Sequence, residues 1–371
     1  MRRRHLELIL DLSSTCNIRC VMCYFSAVDR LRFPPFDRDL SDSGMMPLET
    51  FEQIAADFFP GAWRVALGCA AEPLIHPRFR EIVAVAGRYR IPDLWFPTNL
   101  LALTGRTAEA IVDAGVAVVA ASIDGTTGPS YEQIRVGGSW DRLISRLQLL
   151  NDIKKKRGSA RPRLRIIFTW MRSNRHELRA LPAFAVAHGA REIDVRFVSP
   201  AEGVDVTPEL LSDEDPAELR AELGATARDA VRRGLRLSSY PEFETPADRP
   251  TTLAARLRRR LWRIRAGLER LEYWRHLRRE RRHGCAYPGR TWVIRPNGAV
   301  NPCMYWQEEP IDCYPEADLA SIGASEQLAL IRNGLVSGAP VGSCATCLHR
   351  RDAFYRPFRR QDVDRHGPSA Q

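Results

Sequence analysis

The chain has 371 residues, enough to bury a large core, and its 44% hydrophobic and 27% charged residues are typical of a globular protein. No run of 18 or more apolar residues is present, and the short apolar stretch near the start is broken by Glu7 and Asp11, which argues against both a membrane-spanning helix and a signal peptide. Of the formal charge of +10, residues 251–283 carry +9, from twelve Arg and three Glu, so a generally basic nucleic-acid-binding protein is disfavoured.

Nine cysteines occur in this chain without secretion features. Disulfides are rare in reducing compartments, so metal binding or catalysis is the better interpretation of the cysteines. We expect a cytoplasmic protein.

Strand-like and helix-like segments alternate through the first 200 residues. Six short apolar runs are typical of parallel strands covered on both faces: His5–Leu12, Trp63–Leu67, Asp93–Pro97, Val116–Ile123, Leu164–Trp170 and Glu192–Val198. Helices are predicted between them, near Pro47–Phe58, Arg78–Tyr89, Arg106–Ala114, Trp140–Lys156 and Arg175–His188. The pattern predicts an α/β protein with a parallel sheet, either open or curled into a partial (β/α)6 TIM-like barrel, with ligands at the C-terminal ends of the strands.

The remainder of the chain differs in composition and in its predicted elements. Residues 200–237 read as a polar loop and a helix, and the three prolines of Pro241–Pro250 indicate a linker. Leucine and isoleucine at steps of three and four then predict a basic amphipathic helix up to residue 283. From Cys285 onward, short strands, turns and cysteines indicate a small second domain. We therefore expect units at 1–240, 241–283, 284–358 and 359–371, namely the barrel, the linker with the basic helix, the small cysteine domain and a tail.

Three cysteines follow the first predicted strand directly: Cys16, Cys20 and Cys23. Thiolates are the usual ligands of iron–sulfur clusters, and this close spacing allows one loop to wrap one cluster. Three ligands for four irons leave one iron open to chelate a small molecule. A structural zinc site needs four closed ligands, and no nearby His or fourth Cys completes this one.

The Cys-x3-Cys-x2-Cys spacing resembles the signature of the radical S-adenosylmethionine (SAM) superfamily, in which the open iron binds SAM. Gly68…Glu72-Pro73 resembles the Gly-Gly-Glu-Pro motif of that family, Thr98-Asn99 resembles Thr-Asn-Gly with Leu100 in place of Gly, and Ser122-Ile-Asp124-Gly125 resembles Ser-x-Asp-Gly. The resemblance covers roughly residues 5–200. It implies a [4Fe-4S] cluster on the three cysteines and these SAM-binding residues: Met22, Gly68, Glu72, Asn99, Ser122, Asp124 and Arg135.

A second cysteine set comprises Cys285, Cys303, Cys344 and Cys347, with the hairpin signal Pro296-Asn297-Gly298 between the first two. On spacing alone, a zinc ribbon and an iron–sulfur site are nearly even alternatives. The set resembles the opening of the SPASM auxiliary-cluster domain, in the shortened twitch form of enzymes like 2-deoxy-scyllo-inosamine dehydrogenase. The resemblance implies these four cysteines as ligands of a second [4Fe-4S] cluster, with Cys313 departing from the pattern.

The resemblance implies reductive cleavage of SAM to a 5′-deoxyadenosyl radical that abstracts a substrate hydrogen. An auxiliary cluster accepting the second electron would favour oxidation of a small polyol, sugar or aminocyclitol. Asp194 and Arg196 lie two positions apart on one face of the sixth predicted strand. They are candidate catalytic residues, but we slightly favour the alternative that they form a structural ion pair. Cys69, at a strand end, is interpreted as packing rather than as a hydrogen donor.

Several alternatives remain open at this point. Within the enzyme class, they are peptide or protein modification, weakly disfavoured because the chain starts directly at strand one, and epimerisation. The non-enzyme alternative is a zinc- or Fe–S-stabilised RNA-binding protein. For the basic helix we favour packing combined with docking of an electron donor such as flavodoxin or ferredoxin, over peripheral contact with an anionic membrane or with phosphate.

Overall fold

Parallel strands occupy the centre of the computed structural model, which describes residues 6–23, 44–69, 71–198, 204–211, 213–240, 285, 287–289, 291–306, 308–316 and 318–347. The predicted basic helix and the tail beyond residue 358 lie outside the described residues. No helix in these ranges is long and apolar enough to cross a bilayer.

Ten strands form one sheet, in the order β12-β11-β10-β1-β3-β4-β5-β7-β8-β9. The bounds of its strands are β1 Leu6–Leu10, β3 Ala62–Leu67, β4 Asp93–Thr98, β5 Val118–Ser122, β7 Arg163–Trp170, β8 Glu192–Phe197, β9 Arg236–Tyr240, β10 Thr291–Ile294, β11 Ala299–Asn301 and β12 Asp312–Cys313. A two-stranded sheet pairs β2, Arg19–Cys20, with β6, Arg135–Val136.

Helices follow most of the strands. Their bounds are α1 Leu48–Phe58, α2 Phe79–Arg88, α3 Gly105–Asp113, α4 Gly128–Ile134, α5 Trp140–Lys156, α6 Leu181–Ala187, α7 Pro216–Arg232, α8 Leu319–Ala324, α9 Glu326–Ser337 and α10 Ser343–Thr346. Side chains at every second strand position, such as Leu8, Val65 and Phe96, are buried against these helices. The prediction of an α/β partial barrel with a central parallel sheet is confirmed.

The six predicted strands are present, and three differences from the predictions have physical reasons. The segment predicted as one helix near 175–188 is a 3-10 turn, Arg175–Arg179, followed by α6, because Pro182 lacks the N–H that a continuous helix would use. The strand β9 ends a segment predicted as loop and helix, and pairs in parallel with β8. The helices α8 to α10 were not predicted in the cysteine-rich part.

The β10–β11 hairpin extends the sheet beyond β1, because β10 runs parallel to β1 with Ile9 opposite Val293. Its turn places Pro296 second and Gly298 fourth, with Gly298 N donating to the Arg295 carbonyl at 3.0 Å. The C-terminal segment therefore shares one sheet with the N-terminal strands.

The sheet curves around a lumen. Arg196 on β8 and Cys69 at the end of β3 influence each other's pKa, although three strands separate β8 from β3 in the sheet. Electrostatic influence at that separation along the sheet requires curvature, because charge interactions weaken with distance. The face that carries Ile9, Ala66 and Val293 is therefore the inner face of the partial barrel.

Candidate active site

The first cysteine set lies in the loop that leaves β1. The pairing of β2 with β6 places Cys20 opposite Arg135 and fixes this loop against the end of α4. Cys20 is buried, while Cys16 and Cys23 are half-buried. The pKa of the Cys20 thiol is raised to about 12, mainly by burial. Arg135 lowers this pKa, whereas Asp124, Cys23 and Cys16 raise it further. The three thiols are therefore neighbours at the C-terminal end of β1.

Two side chains donate hydrogen bonds to these sulfurs. Arg135 Nη1 lies 3.5 Å from Cys20 Sγ, and Asn99 Nδ2 lies 3.8 Å from Cys16 Sγ. Hydrogen bonds to the sulfurs are among the features that set the potential of an iron–sulfur cluster. The donor set and its surroundings thus fit a [4Fe-4S] cluster with one open iron.

Glu72 joins the ends of β3 and β4. Its carboxylate accepts hydrogen bonds from Thr98 Oγ1 at 2.7 Å, from Asn99 N at 2.7 Å and from Leu74 N at 3.0 Å. Burial raises the pKa of Glu72 to about 7 in spite of these hydrogen bonds, which lower it. The side chain predicted to bind SAM therefore serves at least as a clamp between two loops of the site.

Backbone conformation supports the motif comparison at two positions. Gly68 has φ +103°, a region open to glycine, and Leu100 has φ +65°, at the place where the motif carries glycine. Met22 packs against a small apolar group that includes Ile134 and Met171. Met22, one of the residues expected to bind SAM, therefore has apolar surroundings.

Asp124 and Arg135 form a buried ion pair of 2.6 Å. Asp124 Oδ1 also accepts from Thr169 N at 2.7 Å, and Asn174 Nδ2 donates to the Asp124 carbonyl at 2.9 Å. Burial lowers the pKa of Arg135, but Asp124 and Cys20 outweigh it and hold the pKa above its usual value. Asp124 and Cys20 therefore position the guanidinium of Arg135, one of the residues expected to bind SAM. Ser122, another of these residues, ends β5.

Asp194 and Arg196 pair with each other on the inner face of β8. Arg196 Nε and Nη2 donate to Asp194 Oδ2 at 3.1 and 3.0 Å, and Ser238 Oγ lies 3.2 Å from Oδ1. Burial lowers the pKa of Arg196, but Asp194 and Tyr305 contribute to a larger opposite effect, so the pKa lies above its usual value. The pair predicted from sequence is formed, and any base role for Asp194 requires this pair to open.

The second cysteine set is brought together from three separate segments of the chain. Cys285 precedes β10, Cys303 follows β11, and Cys344 and Cys347 lie in and after α10. The pKa of Cys303 is raised by burial first and then by Cys285, Cys347 and Cys344, while the Tyr305 backbone N–H opposes this.

Cys313 is exposed on β12, and its thiol is directed at the Tyr314 carbonyl. It is not among the cysteines that raise the pKa of Cys303. Within the described ranges no group of three or more His, Cys, Asp or Glu side chains is arranged to hold a metal ion as it stands. Three thiols that raise the pKa of Cys303 form with it a donor set that nevertheless suits a four-iron cluster.

Several residues of the site were missed by the sequence analysis. Asp11 accepts from Cys69 N at 2.7 Å and pairs with buried Arg295, and Glu308 accepts from both Ser343 N and Ser343 Oγ at the start of α10. Asp11 and Arg295 are separated by 284 positions, so no local pattern signals their contact. The charge of Asp11 at the end of an apolar strand was the available signal.

Comparison with known families identifies the N-terminal region. The family model described as "Radical SAM superfamily" matches residues 10–161. A GTP 3',8-cyclase of Listeria monocytogenes is 28% identical over 152 residues, which are 41% of this chain and 43% of that protein. A GTP 3',8-cyclase of Pseudomonas putida is 28% identical over 193 residues, 51% of this chain and 52% of that protein. The chain thus spans about half the length of these curated relatives.

Solved structures share the fold over a longer stretch. Streptococcus suis SuiB bound to S-adenosylmethionine has a TM-score of 0.62 at 16% identity and covers 91% of this chain and 68% of its own. Native anSMEcpe with bound AdoMet has a TM-score of 0.59 at 13% identity, covering 87% of this chain and 82% of its own. Radical SAM proteins bind SAM and a [4Fe-4S] cluster, and the cysteine loop, the Glu72 clamp and the Asp124–Arg135 pair lie inside or at the edge of the matched range. This chain therefore carries a radical SAM domain within residues 10–161.

Proposed function

We propose that the chain is a radical SAM oxidoreductase that oxidises a small polyol, sugar or aminocyclitol, with a second [4Fe-4S] cluster on Cys285, Cys303, Cys344 and Cys347 as electron acceptor. Bound SAM, cleaved reductively at the first cluster, supplies the 5′-deoxyadenosyl radical that removes a substrate hydrogen. The protein supplies orientation and exclusion of competing reactions. An external donor such as flavodoxin or ferredoxin delivers the first electron.

One observation carries the proposal: the two cysteine sets belong to opposite ends of the same parallel strands. Cys16, Cys20 and Cys23 follow the C-terminal end of β1, whereas Cys285 precedes β10, which runs parallel to β1. Cys303 follows β11, which runs antiparallel to β10 and so returns to the end at which Cys285 lies. A substrate in the lumen would thus lie between the radical source and an electron acceptor. That arrangement favours net oxidation.

The chain's own residues would prepare these steps. Glu72 and Asp124 hold the loops at the ends of β3, β4 and β5, and Arg135 brings a fixed positive charge beside Cys20. Arg196 supplies a second positive charge, near enough to Tyr305 and Cys69 for them to raise its pKa. A cation there would lower the pKa of a substrate hydroxyl, whose proton must leave during oxidation to a ketone.

The second candidate is modification of a peptide or protein. SuiB bound to precursor peptide SuiA has a TM-score of 0.62 with this chain at 17% identity and covers 91% of it. The same overall fold therefore accommodates a peptide in that protein. The two GTP 3',8-cyclases match only 41% and 51% of this chain, and they bear on SAM chemistry rather than on the substrate.

Anaerobic reconstitution separates these functions. We expect about eight irons per chain, from two four-iron clusters, and deuterium transfer from deuterated 2-deoxy-scyllo-inosamine or a related cyclitol into 5′-deoxyadenosine. Replacement of Cys16, Cys20 and Cys23 by Ala should remove about four irons and abolish SAM cleavage. The matched control, Cys313→Ala, should retain both.

Transfer of deuterium from a peptide instead of a polyol would favour the second candidate. Bound zinc together with no SAM cleavage would contradict both enzyme functions and would favour the alternative of an RNA-binding protein. Retention of SAM cleavage by the triple variant would overturn the assignment of the first cluster.

A further inference from the structure

The inner face of the barrel carries a buried asparagine whose hydrogen-bonding groups are unused. Asn301, on β11, has no exposed surface, and neither its Nδ2 nor its Oδ1 has a partner among the residues that the structure describes. A buried amide without partners is costly, so a position of this kind calls for an explanation. Asn151 on α5, in contrast, donates to the His188 carbonyl at 2.8 Å.

The position of Asn301 in the sheet shows which way its side chain points. Asn301 lies directly opposite Val293 in the antiparallel β10–β11 pair, and opposed residues project from the same face of a sheet. Val293 packs with Ile9 and Ala66 on the inner face, where Cys69 and Met304 also contact them. Asn301 therefore faces the lumen.

A second unused donor lies in the same row of the sheet. Paired residues run from Asn301 through Val293, Ile9 and Ala66 to Trp95 on β4, and Trp95 Nε1 is buried with no partner in the described part of the chain. Four strand steps of about 4.8 Å separate the two ends along the sheet. Curvature of the barrel turns both side chains toward the lumen, with the apolar Val293, Ile9 and Ala66 between them.

Charged side chains lie at the bottom of the lumen. Arg64, two residues before Ala66 on β3, pairs with Glu7 at 3.4 Å and Asp93 at 3.3 Å, and its guanidinium lies 4.8 Å from the centre of the Trp95 ring. These groups stand one layer below the row that contains Trp95. A ligand entering from the SAM end would therefore meet charged side chains just below this row, which suits a compact molecule.

We propose that Asn301 and Trp95 bind the substrate, and that Asn301 selects a hydroxyl group on it. An amide donates and accepts at once, as a hydroxyl does, whereas the indole N–H only donates. The substrate class is a compact polyhydroxylated molecule with a hydroxyl at Asn301 and an acceptor oxygen at Trp95. This inference rests on the proposed oxidation of a polyol and assigns the C-terminal hairpin a direct part in substrate binding.

The first test needs no substrate. Asn301→Leu keeps the approximate shape and removes unused polar groups, so the reconstituted variant should unfold at the same or a higher urea concentration than the wild type. The control Asn151→Leu breaks a formed hydrogen bond and should unfold at a lower concentration. Asn301→Ala provides a second variant that introduces no new bulk.

A clear destabilisation by both Asn301 variants would overturn the proposal, because it would mean that Asn301 has a structural partner. Loss of iron, or an altered electron paramagnetic resonance signal of the second cluster, would also overturn it by assigning Asn301 to that cluster.

The second test uses deuterated 2-deoxy-scyllo-inosamine, myo-inositol and scyllo-inositol as probes. For a probe that the wild type oxidises, Asn301→Leu and Trp95→Phe should each raise KM about tenfold, the order expected for a buried donor or acceptor left unpaired. Trp292→Phe is the matched control, because Trp292 Nε1 is also buried and has no partner among the described residues, but the ring packs on the outer face against Phe58. Its KM should not change.

An unchanged KM in both lumen variants would overturn the inference while leaving the oxidation established. Failure of the wild type to oxidise any probe would overturn the proposed polyol function instead. In that case a stability gain in Asn301→Leu would show only that the amide has no structural partner, and the substrate class proposed for Asn301 would fall with the polyol function.

Discussion

At the scale of single residues, charge compensation decides which buried groups the protein tolerates. Glu192, at the start of β8, accepts from Arg163 Nε at 2.9 Å and from Arg165 Nε at 2.8 Å, and its side chain is 9% exposed. Burial raises its pKa, but Arg165 and Arg163 outweigh burial and hold the pKa below the ordinary value of 4.5. The ionised form is thus favoured by folding.

This predicts a defined pH dependence for Glu192. A carboxyl whose pKa is lowered by folding contributes stability above its unfolded pKa and loses it as the pH falls through the folded pKa. Glu192→Gln should therefore lower the free energy of unfolding by about 2 kcal/mol at pH 7. The difference from wild type should shrink below pH 4.5, as measured by urea unfolding between pH 4 and 8.

Glu81→Gln is the control, because Glu81 pairs with Arg78 on the exposed face of α2 and solvent screens that pair. A Glu192→Gln difference that stays constant down to pH 4 would contradict the linkage.

At the scale of elements, short segments position the second cysteine set. The helix α10 has four residues and begins at Ser343. The Glu308 carboxylate accepts hydrogen bonds from the backbone N–H and from the hydroxyl of Ser343. A one-turn helix is not stable by itself, so such outside contacts maintain it. Glu308 follows Cys303 by five positions and thereby links the two halves of the set.

We therefore expect Glu308→Ala to weaken the second cluster selectively. Loss of the Glu308 contacts frees the segment with Cys344 and Cys347, so iron should fall from about eight toward about four per chain after reconstitution. SAM cleavage at the first cluster, tested without substrate, should persist.

Glu316→Ala, at an exposed position near β12, is the matched control and should keep the full iron content. Equal iron in Glu308→Ala and the wild type would show that α10 is maintained without Glu308.

At the scale of the whole molecule, the C-terminal segment and the barrel are joined through their interior. Arg295 and Asp11 pair with side chains only 4% and 0% exposed, next to the parallel contact of β10 with β1. Tyr314 OH donates to Asp57 Oδ2 on α1 at 2.9 Å. These contacts favour unfolding of both parts in one transition.

Breaking the Arg295–Asp11 pair should be costly, since it leaves a buried carboxylate without its counter-ion. We expect Arg295→Leu to lower the free energy of unfolding by about 3–5 kcal/mol in urea titrations. Asp11→Asn combined with Arg295→Leu should lose less than the single variant.

Arg157→Ala removes an exposed pair with Glu109 and Asp113 and should cost about 0–1 kcal/mol. If Arg295→Leu lowered the free energy of unfolding by no more than Arg157→Ala, the Arg295–Asp11 pair would not stabilise the contact between the C-terminal segment and the barrel.

The sequence by itself determined the parallel α/β architecture and the first cysteine loop. Apolar runs such as Leu164–Trp170 are local signals of strands covered on both faces, and Cys16, Cys20 and Cys23 lie within eight residues of one another. The Asp194–Arg196 pair was also predictable, because its partners are two positions apart on one strand.

Only the tertiary structure decided how distant segments meet. Asp11 with Arg295, Glu308 with Ser343, and the row from Asn301 to Trp95 each join residues far apart in the chain, and no periodicity records such contacts. The same reason explains the missed β9, whose short sequence is extended because β8 offers it an edge. Contacts set by strand order and curvature are properties of the folded sheet, so they became visible only with the fold.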